Sequence, residues 1–318
     1  MPDAAAHQIQ PGANTMTRFI MPAVVVAYLL ALNPQANAQK FNPYDQSDVP
    51  LEQQPPDPKL AKIVLVAGRQ SHGPGDHEFF AGTAILMKML QQTPGVFPVM
   101  ARDGWPKNEQ IFDDAKAVVF YLDGRGGHPL TDPKKMGIVQ KLIDQKAGFV
   151  CLHYAVDYRP QEGERVLNWM GGYYLDKVSI NPHWDADFKT LPDHPITRGV
   201  KPFKIRDEWY YNMKFVPAMK NVIPILTATP PDNTRGNSEA KNYPGREEVV
   251  AWAFERPDGG RGFGFTGGHT HVNWGNDNFR KLVLNALLWT AKAEVPPDGV
   301  GSSVTPEELT QNLDPKGK

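Results

Sequence analysis

The residues best suited to chemistry in this sequence are histidines that follow short apolar runs. His153 comes directly after residues 149–152, FVCL, a run that is apolar on both faces and typical of a buried parallel strand. In open α/β sheets the ligand crevice lies outside the carboxyl ends of the strands, so we expect His153 at the edge where such folds bind ligands. A hydrogen-bonded structural histidine is the alternative interpretation.

Other histidines lie beside further predicted strand ends, and a parallel sheet would bring His72, His128, His153 and His269 to one edge. The histidines considered for a shared pocket are His72, His77, His128, His153, His183, His269 and His271. Neutral imidazoles with a carboxylate suit Zn²⁺ or a similar divalent ion, so one hypothesis is a metal held by His72, His77, His153 and His269. The spacing supports it only weakly, because the sequence has no HExxH or CxxC pattern.

General acid–base catalysis is the second hypothesis for the same side chains. His153 or His269 would act with Glu208 or Asp207 as the carboxylate partner. Glu208 lies in a predicted strand of apolar and aromatic residues, where burial would raise its pKa. Since no metal-ligand spacing is recognisable, the sequence slightly favours this metal-free version, with the catalytic residues His153 as base, Glu208 as its partner and His269 as acid.

Aromatic side chains near these histidines could stack on sugar rings, although many aromatic residues must belong to the core. The residues predicted to bind substrate are His72, His77, His128, Tyr154, Trp184, Trp209, His271 and Trp274. If the aromatic side chains do stack in this way, the ligand would be a small carbohydrate.

Cys151 suggests a third possibility, a nucleophilic thiol at a turn between a strand and a helix. Such a turn needs a small residue directly after the nucleophile, and here Leu152 and His153 follow. We therefore predict that Cys151 is buried and inert.

The elements that position these residues follow a pattern of apolar runs alternating with amphipathic helical stretches, which predicts an α/β fold with a mainly parallel sheet. The predicted strands are 60–67, 96–100, 117–122, 149–152, 203–211, 222–227, 248–254 and the run RGFGF at 261–265. Helices are predicted after Asp76, after Thr131 or Asp132, and over 276–291. Residues 158–198 show no clean period and are expected to form a long excursion over the active face.

Composition and the N-terminal sequence indicate which ligands and which cellular compartment to expect. The formal net charge of −1 gives no indication of a nucleic-acid partner, and a single cysteine allows no internal disulfide. Arg18, an apolar run and Ala36-Asn37-Ala38 predict a signal peptide at 1–38, so the mature protein should be periplasmic or secreted without a membrane span. The predicted division continues with a proline-rich lead-in at 39–59, a domain at 60–295 and a tail at 296–318.

Several stretches resemble a known family. They are LVAGRQSHGPGDHEF, GFVCLHYAVDY, NPHWDADF, HPITRGVKPF with DEWYY, and WAFERPDGGRGFGFTGGHTHVNWGND. On these motifs, which extend over nearly all of 62–295, the chain resembles the ThuA-like (trehalose utilisation) family, specifically a secreted branch in planctomycete-type bacteria.

The resemblance implies a fold like that of class I glutamine amidotransferases, a flavodoxin-like three-layer α/β/α sandwich, without the amidotransferase Cys-His-Glu triad. His153 occupies the position comparable to that nucleophile, Gly268-His269 matches the family's GH pair, and Asp207-Glu208 matches its DE pair. Many members have glycine where this chain has Cys151, which agrees with a packing role.

The resemblance also implies a function with trehalose and related glucosides, in pathways where an oxidoreductase makes 3-keto sugars and a second enzyme processes them. The first hypothesis is an exported hydrolase, lyase or isomerase, because a 3-keto group acidifies the neighbouring C–H and a base could remove that proton. The alternative is a non-catalytic sugar-binding or interaction module. A glutaminase-like hydrolase would need an exposed Cys151, and the sequence argues against it.

Overall fold

A mostly parallel sheet forms the centre of the fold. The computed structural model describes residues 41–236 and 239–316, so the predicted signal peptide at 1–38 lies outside the described residues. The strands in the described part are β1 Ala61–Ala67, β2 Val96–Ala101, β3 Ala117–Tyr121, β4 Gly148–Leu152, β5 Gly172–Tyr173, β6 His183–Phe188, β7 Phe203–Glu208, β8 Lys214–Phe215, β9 Val222–Ala228, β10 Glu248–Glu255 and β11 Arg261–Phe265. The central sheet has the order β2-β1-β3-β4-β11-β10-β9. Its first five strands are parallel, and β10 runs antiparallel to both of its neighbours.

Helices cover both faces of this sheet and complete three layers. They are α1 Phe79–Gln91, α2 Pro133–Asp144, α3 Pro160–Met170 and α4 Asp277–Thr290. Alternate side chains of β1 point to opposite faces, so Ile63 and Leu65 pack in the core with α1 and α4, while Val64 and Val66 pack with α2 and α3. The predicted three-layer α/β/α sandwich is thereby confirmed.

Helix starts agree with the sequence in two of three cases. Asp132 caps α2 by accepting a hydrogen bond from the backbone N–H of Lys134 at 2.8 Å, and Asn276 caps α4 by accepting from Phe279 at 3.1 Å. The prediction that Asp76 caps the first helix is wrong. That helix begins at Phe79, and Asp76 instead forms an isolated antiparallel bridge with Thr270.

The stretch at 158–198 is more regular than the sequence suggested. It contains α3, which ends at Gly171 with a left-handed backbone of φ +82°, and it contains β6. Strand β6 pairs antiparallel with β7 in a separate two-stranded sheet, with His183 opposite Glu208. This pairing fixes Glu208 at the end of a strand that leads back to the main sheet.

The predicted tail packs onto the body of the domain. The backbone N–H of Val300 donates to Asn285 Oδ1 at 2.8 Å, and Lys316 pairs with Glu78 at 3.3 Å. Residues of the lead-in join it, since Gln46 Nε2 donates to Asp314 Oδ1 at 3.2 Å. Among the described residues, no helix has the length and apolar character needed to cross a membrane.

Candidate functional site

Four side chains from separate parts of the chain converge at the carboxyl edge of the sheet. His153 directly follows β4, and His269 lies in the loop after β11, the parallel neighbour of β4. Glu208 is the last residue of β7, and His77 lies in the loop before α1. Their ligand atoms all lie within 4.8 Å of one another, and we call these four residues the His-Glu cluster.

The inner atoms of the His-Glu cluster are close together. His77 Nε2 lies 2.9 Å from His153 Nε2 and 3.0 Å from His269 Nδ1, and the last two are 3.3 Å apart. Glu208 Oε2 lies 3.0 Å from His269 Nδ1 and 3.5 Å from His153 Nε2. Donors around a tetrahedral zinc with bonds of about 2.0–2.1 Å are roughly 3.3 Å apart, so these separations suit a bound ion.

The outer ring nitrogens face groups that accept hydrogen bonds. His153 Nδ1 lies 2.9 Å from the carbonyl oxygen of Thr266, which can only accept, so this nitrogen carries the proton. His77 Nδ1 lies 3.2 Å from Asp123 Oδ1, and His269 Nε2 lies 3.5 Å from Asp76 Oδ1. When His269 is neutral, protons on the outer nitrogens leave three lone pairs facing one another, the arrangement of metal-binding histidines with their supporting partners.

Two residues of the His-Glu cluster have a left-handed backbone conformation. His153 has φ +54° and His77 has φ +49°, in the left-handed region that costs a non-glycine residue about 1–3 kcal/mol. Such strain concentrates at functional sites because only the surrounding packing can maintain it.

Asp207, the alternative carboxylate partner in the sequence analysis, instead fixes the loop of His269. Its two oxygens accept hydrogen bonds from the backbone N–H groups of Gly268 at 2.7 Å and Thr270 at 3.2 Å. It is fully buried, and its role is therefore to hold the loop rather than to act in the cluster.

The direction of the pKa shift differs among the residues of the His-Glu cluster. Burial, helped by the neighbouring His72 and His269, lowers the pKa of His77 to about 2. Burial and His77 also hold the pKa of His153 well below its usual value. Burial alone would lower the pKa of His269, but its hydrogen bond to Glu208 and the negative charges of Glu208, Asp76 and Asp207 together raise it. The predicted rise for Glu208 is wrong. Burial, the largest single influence, raises the pKa of the carboxyl group, but the hydrogen bond from His269 and the charges of His153, His269 and His183 together lower it.

A polar pocket of about 300 Å³ opens beside the cluster. Its lining consists of His72, His77, Arg125, Tyr154, Asp157, Tyr174, Asn181, Glu208 and Tyr210. The rings of His72 and His77 are tilted by 37° with 3.7 Å between their centroids, and Tyr210 Oη lies 3.3 Å from His153 Nε2. The structure therefore brings His72 and Tyr154 together with the His-Glu cluster, as the sequence analysis expected of a shared pocket.

The tryptophans predicted to stack on sugar are core residues instead. Trp184, Trp209 and Trp274 are each at most 1 % exposed. The indole N–H of Trp184 donates to the carbonyl oxygen of Trp209 at 2.9 Å. Residues 183–188 alternate in burial, which turns Trp184 inward, so none of these faces is open to a ligand.

His128 and His271 also lie apart from the cluster. His128 Nδ1 accepts from the N–H of Leu130 at 3.1 Å, so its Nε2 carries the proton that it donates to Tyr158 Oη at 2.9 Å. It is 1 % exposed and packs against Phe120. His271 is buried, and its Nε2 lies 3.0 Å from the carbonyl oxygen of Leu309. Both rings are therefore engaged in structural contacts. This contradicts the prediction of His271 as a substrate-binding residue, whereas His128 lies at the wall of a separate cavity.

Cys151 is fully buried, as predicted from its place in an apolar strand. Burial raises the pKa of its thiol, and its sulfur lies 3.2 Å from Tyr158 Oη. A protonated, enclosed thiol cannot serve as a nucleophile.

Sequence reasoning missed several polar residues around the cluster. Asp123 lies two residues beyond the end of β3, so the strand-end argument that located His153 could have located it as well. Asp76, Arg125, Asp157 and Tyr174 carry no such signal, because their positions depend on how the loops fold.

Comparisons with known proteins agree with this architecture. The sequence model of the family described as ThuA, trehalose utilisation, matches residues 63–290. A ThuA-like protein structure from Parabacteroides merdae has a TM-score of 0.54 at 18% identity, covering 80% of this chain and 99% of that one. A ThuA-like structure from Bacteroides uniformis also has a TM-score of 0.54, at 12% identity, covering 75% of this chain and 94% of that one.

A glutamine amidotransferase from Thermotoga maritima has a TM-score of 0.38 at 12% identity, covering 73% of this chain and 96% of that one. A search of curated protein sequences found no match. The two ThuA-like structures show the fold.

Proposed function

The chain belongs to the ThuA family, described as trehalose utilisation, and from this premise we propose that it is a metal-dependent enzyme that processes an oxidised glycoside. Membership of this family supports a role of the protein related to trehalose utilisation. The observation that carries the metal is the His-Glu cluster, in which three imidazole nitrogens and a carboxylate oxygen lie within 4.8 Å of one another.

The donor set selects a class of ion. Imidazole with one carboxylate suits Zn²⁺ and other divalent transition metals, and no thiolate is available because Cys151 is buried in the sheet. Three nitrogen lone pairs that face one another repel unless a proton or a cation lies between them. The lowered pKa values of His77 and His153 disfavour protons on those two rings, and a cation would take the place of the proton that Glu208 favours on His269 Nδ1.

The pocket beside the cluster suits one sugar ring. Its volume of about 300 Å³ is at the lower end of the range for small-molecule sites. Tyrosine hydroxyls, the Asn181 amide and the Arg125 guanidinium provide donors and acceptors for sugar hydroxyl groups. His77 and Glu208 belong both to the pocket and to the cluster, so a bound sugar would reach the ion.

The proposed reaction begins with proton removal from the carbon next to a keto group. A divalent ion at the cluster would stabilise the negative charge that develops on the keto oxygen. Asp157 is the base that the pocket offers. Burial raises its pKa to about 6 against the opposing effect of Arg125, which lies 3.1 Å away, and a value near neutrality suits proton transfer.

The same first step leads to more than one product. If Asp157 delivers the proton to the former keto carbon and the proton of the neighbouring hydroxyl group passes to the former keto oxygen, the C=O group moves to the neighbouring carbon and the enzyme is an isomerase. If the proton passes to the glycosidic oxygen as the C–O bond breaks and a C=C bond forms, the enzyme is a lyase, and later addition of water gives net hydrolysis.

A metal-free version uses the same residues differently. His269 has a raised pKa and His153 a lowered one, and two groups with pKa values moved apart in this way can act as acid and base. In that version His153 takes the proton, Glu208 orients the rings and His269 donates.

One experiment separates the versions. Purified protein is analysed for divalent metals and incubated with trehalose and 3-keto-trehalose, with and without chelator. The metal-dependent version predicts one ion per chain and turnover that chelator abolishes.

His269→Ala should lose the ion, whereas His194→Ala, a matched histidine outside the cluster, should keep it. A metal-free protein with chelator-resistant turnover and a bell-shaped pH profile would support the acid–base version, and no turnover on either sugar would contradict the proposed enzyme.

We also propose export, from the signal-peptide pattern at 1–38. Mass spectrometry of protein recovered from its native cells should find a terminus at Gln39, and an intact Met1 or Met16 terminus would contradict it.

A further inference from the structure

A second cavity near the His-Glu cluster lies on the far side of Asp123. Its volume is about 570 Å³, and its wall includes Gly68 after β1 and Leu122 and Asp123 after β3. Asp123 Oδ1 faces His77 Nδ1 at 3.2 Å and accepts from Ser71 Oγ at 2.9 Å, so this carboxylate separates the cavity from the cluster.

The position of this cavity follows from the topology. Strand β1 leads to α1 on one face of the sheet, whereas the neighbouring β3 leads to α2 on the other face. The two connections diverge and leave a crevice at the carboxyl ends of β1 and β3. Open α/β sheets bind ligands at such a switch point.

The walls show what kind of ligand would fit. Of the seven tryptophans, six are at most 3 % exposed, and the partly exposed one, Trp105, lines this cavity. Arg69 and Lys135 line it together with the carboxylates of Asp103, Asp123 and Asp132. Charges of both signs beside an aromatic face suit a neutral molecule with many hydroxyl groups better than an anion or a cation, because each hydroxyl both donates and accepts.

We propose that this cavity is a second saccharide subsite, which binds a hexopyranose ring across Asp123 from the His-Glu cluster. This inference deepens the proposed function and rests on it for the choice of sugars. The ring could belong to a disaccharide that also enters the smaller pocket, or it could be a free hexose.

The fluorescence of Trp105 can be used to measure sugar binding in this cavity. Iodide quenches exposed tryptophans, so quenching of the intrinsic fluorescence should report mainly on Trp105, and Trp105→Phe should remove the quenched component. We expect trehalose to protect this component. Protection by trehalose alone assigns the cavity to the second ring of a disaccharide, and equal protection by glucose assigns it to a free hexose.

Two arginines, the exposed Arg69 and the half-buried Arg102, provide the matched variants. Arg69 lines the cavity, and its Nε donates to the carbonyl oxygen of Asp103 at 3.2 Å. Arg102 pairs with the Asp103 carboxylate at 3.3 Å but lies outside the lining. Loss of hydrogen bonds from a charged donor should weaken sugar binding about tenfold or more in Arg69→Ala, and Arg102→Ala should bind as the wild type does.

The same titrations are run with and without chelator, because the cavity needs no metal. If no turnover is found but sugar still protects Trp105, the proposed function fails and the subsite stands. Absence of protection by either sugar, or equal protection in the wild type and Arg69→Ala, would overturn the subsite even if turnover is observed.

Discussion

Lys316 and Glu78 form a buried ion pair, with Nζ 3.3 Å from Oε1, that joins the C-terminal segment to the residue beside His77. The two side chains are 2% and 1% exposed. Glu78 also accepts hydrogen bonds from the backbone N–H groups of Gly75 at 3.0 Å and Asp314 at 2.7 Å. Lys316 Nζ donates to the carbonyl oxygen of Asp76 as well. The segment predicted as a tail therefore fixes the loop that carries His77.

Replacing Lys316 tests this connection. Lys316→Met leaves the Glu78 carboxylate buried without its cation, so the free energy of unfolding should fall by about 3 kcal/mol in urea titrations. The matched control is Lys88→Ala. Its partner Glu308 also belongs to the tail, but Lys88 is 52% exposed, so the loss should stay below about 1 kcal/mol. Equal losses in the two variants would show that the buried pair has no special role.

Asp123 should control metal affinity without touching the ion. Asp123→Ala removes the acceptor that orients the His77 ring, and loss of such a partner typically weakens metal binding about 10–100-fold. Competition with a chromophoric chelator measures this change. Asp185→Ala, which removes an exposed carboxylate paired with Arg206 on the β6–β7 hairpin, is the control and should leave the affinity unaltered. Wild-type affinity in Asp123→Ala would argue against a metal held by His77.

The sequence located the elements that are buried on both faces. Apolar runs predicted strands at 149–152 and 261–265, and β4 and β11 occupy those positions within one residue. Helix α3 was missed because its first turns, PQEGER, are polar and contain Gly163, so the apolar face appears only from Val166 onward. The hydrophobic pattern over a few residues therefore predicted the strands of the sheet better than it predicted the stretch at 158–198, which contains α3.

The sequence predicted the positions of those site residues that follow strands. His153 and His269 follow neighbouring parallel strands, so their meeting is a consequence of the sheet order. The acceptors that orient them are not predictable in this way, since the approach of Asp76 to His269 depends on the bridge between Asp76 and Thr270. The alternation of polar and apolar residues in HWDADF indicates that Trp184 points into the core. Its prediction as a residue that stacks on sugar disagrees with this alternation.

His128 should make stability depend on pH. Burial lowers its pKa to about 3 in the folded protein, against 6.5 as the ordinary value. Between these values the unfolded chain binds a proton that the folded protein does not, so stability falls as the pH is lowered below about 6.5. The expected loss from this residue is about 2 kcal/mol between pH 6.5 and pH 5.

Urea titrations at the two pH values, in chelator, compare the wild type with His128→Gln. The variant lacks the titrating group, so its loss on acidification should be smaller by about 2 kcal/mol. The same loss in both proteins would mean that His128 titrates normally in the fold.

His153 offers a test that separates backbone conformation from chemistry. At φ +54° an alanine carries a steric cost that glycine avoids, so His153→Gly should be more stable than His153→Ala by about 1 kcal/mol. In an ordinary helical or extended conformation the order would be reversed. Urea titrations in chelator measure the difference, and turnover on 3-keto-trehalose measures the chemistry. Both variants lose the ring that faces His77 and Glu208, so both should lose turnover. An alanine variant as stable as the glycine variant would contradict the left-handed backbone, and turnover retained in either would exclude His153 from the reacting site.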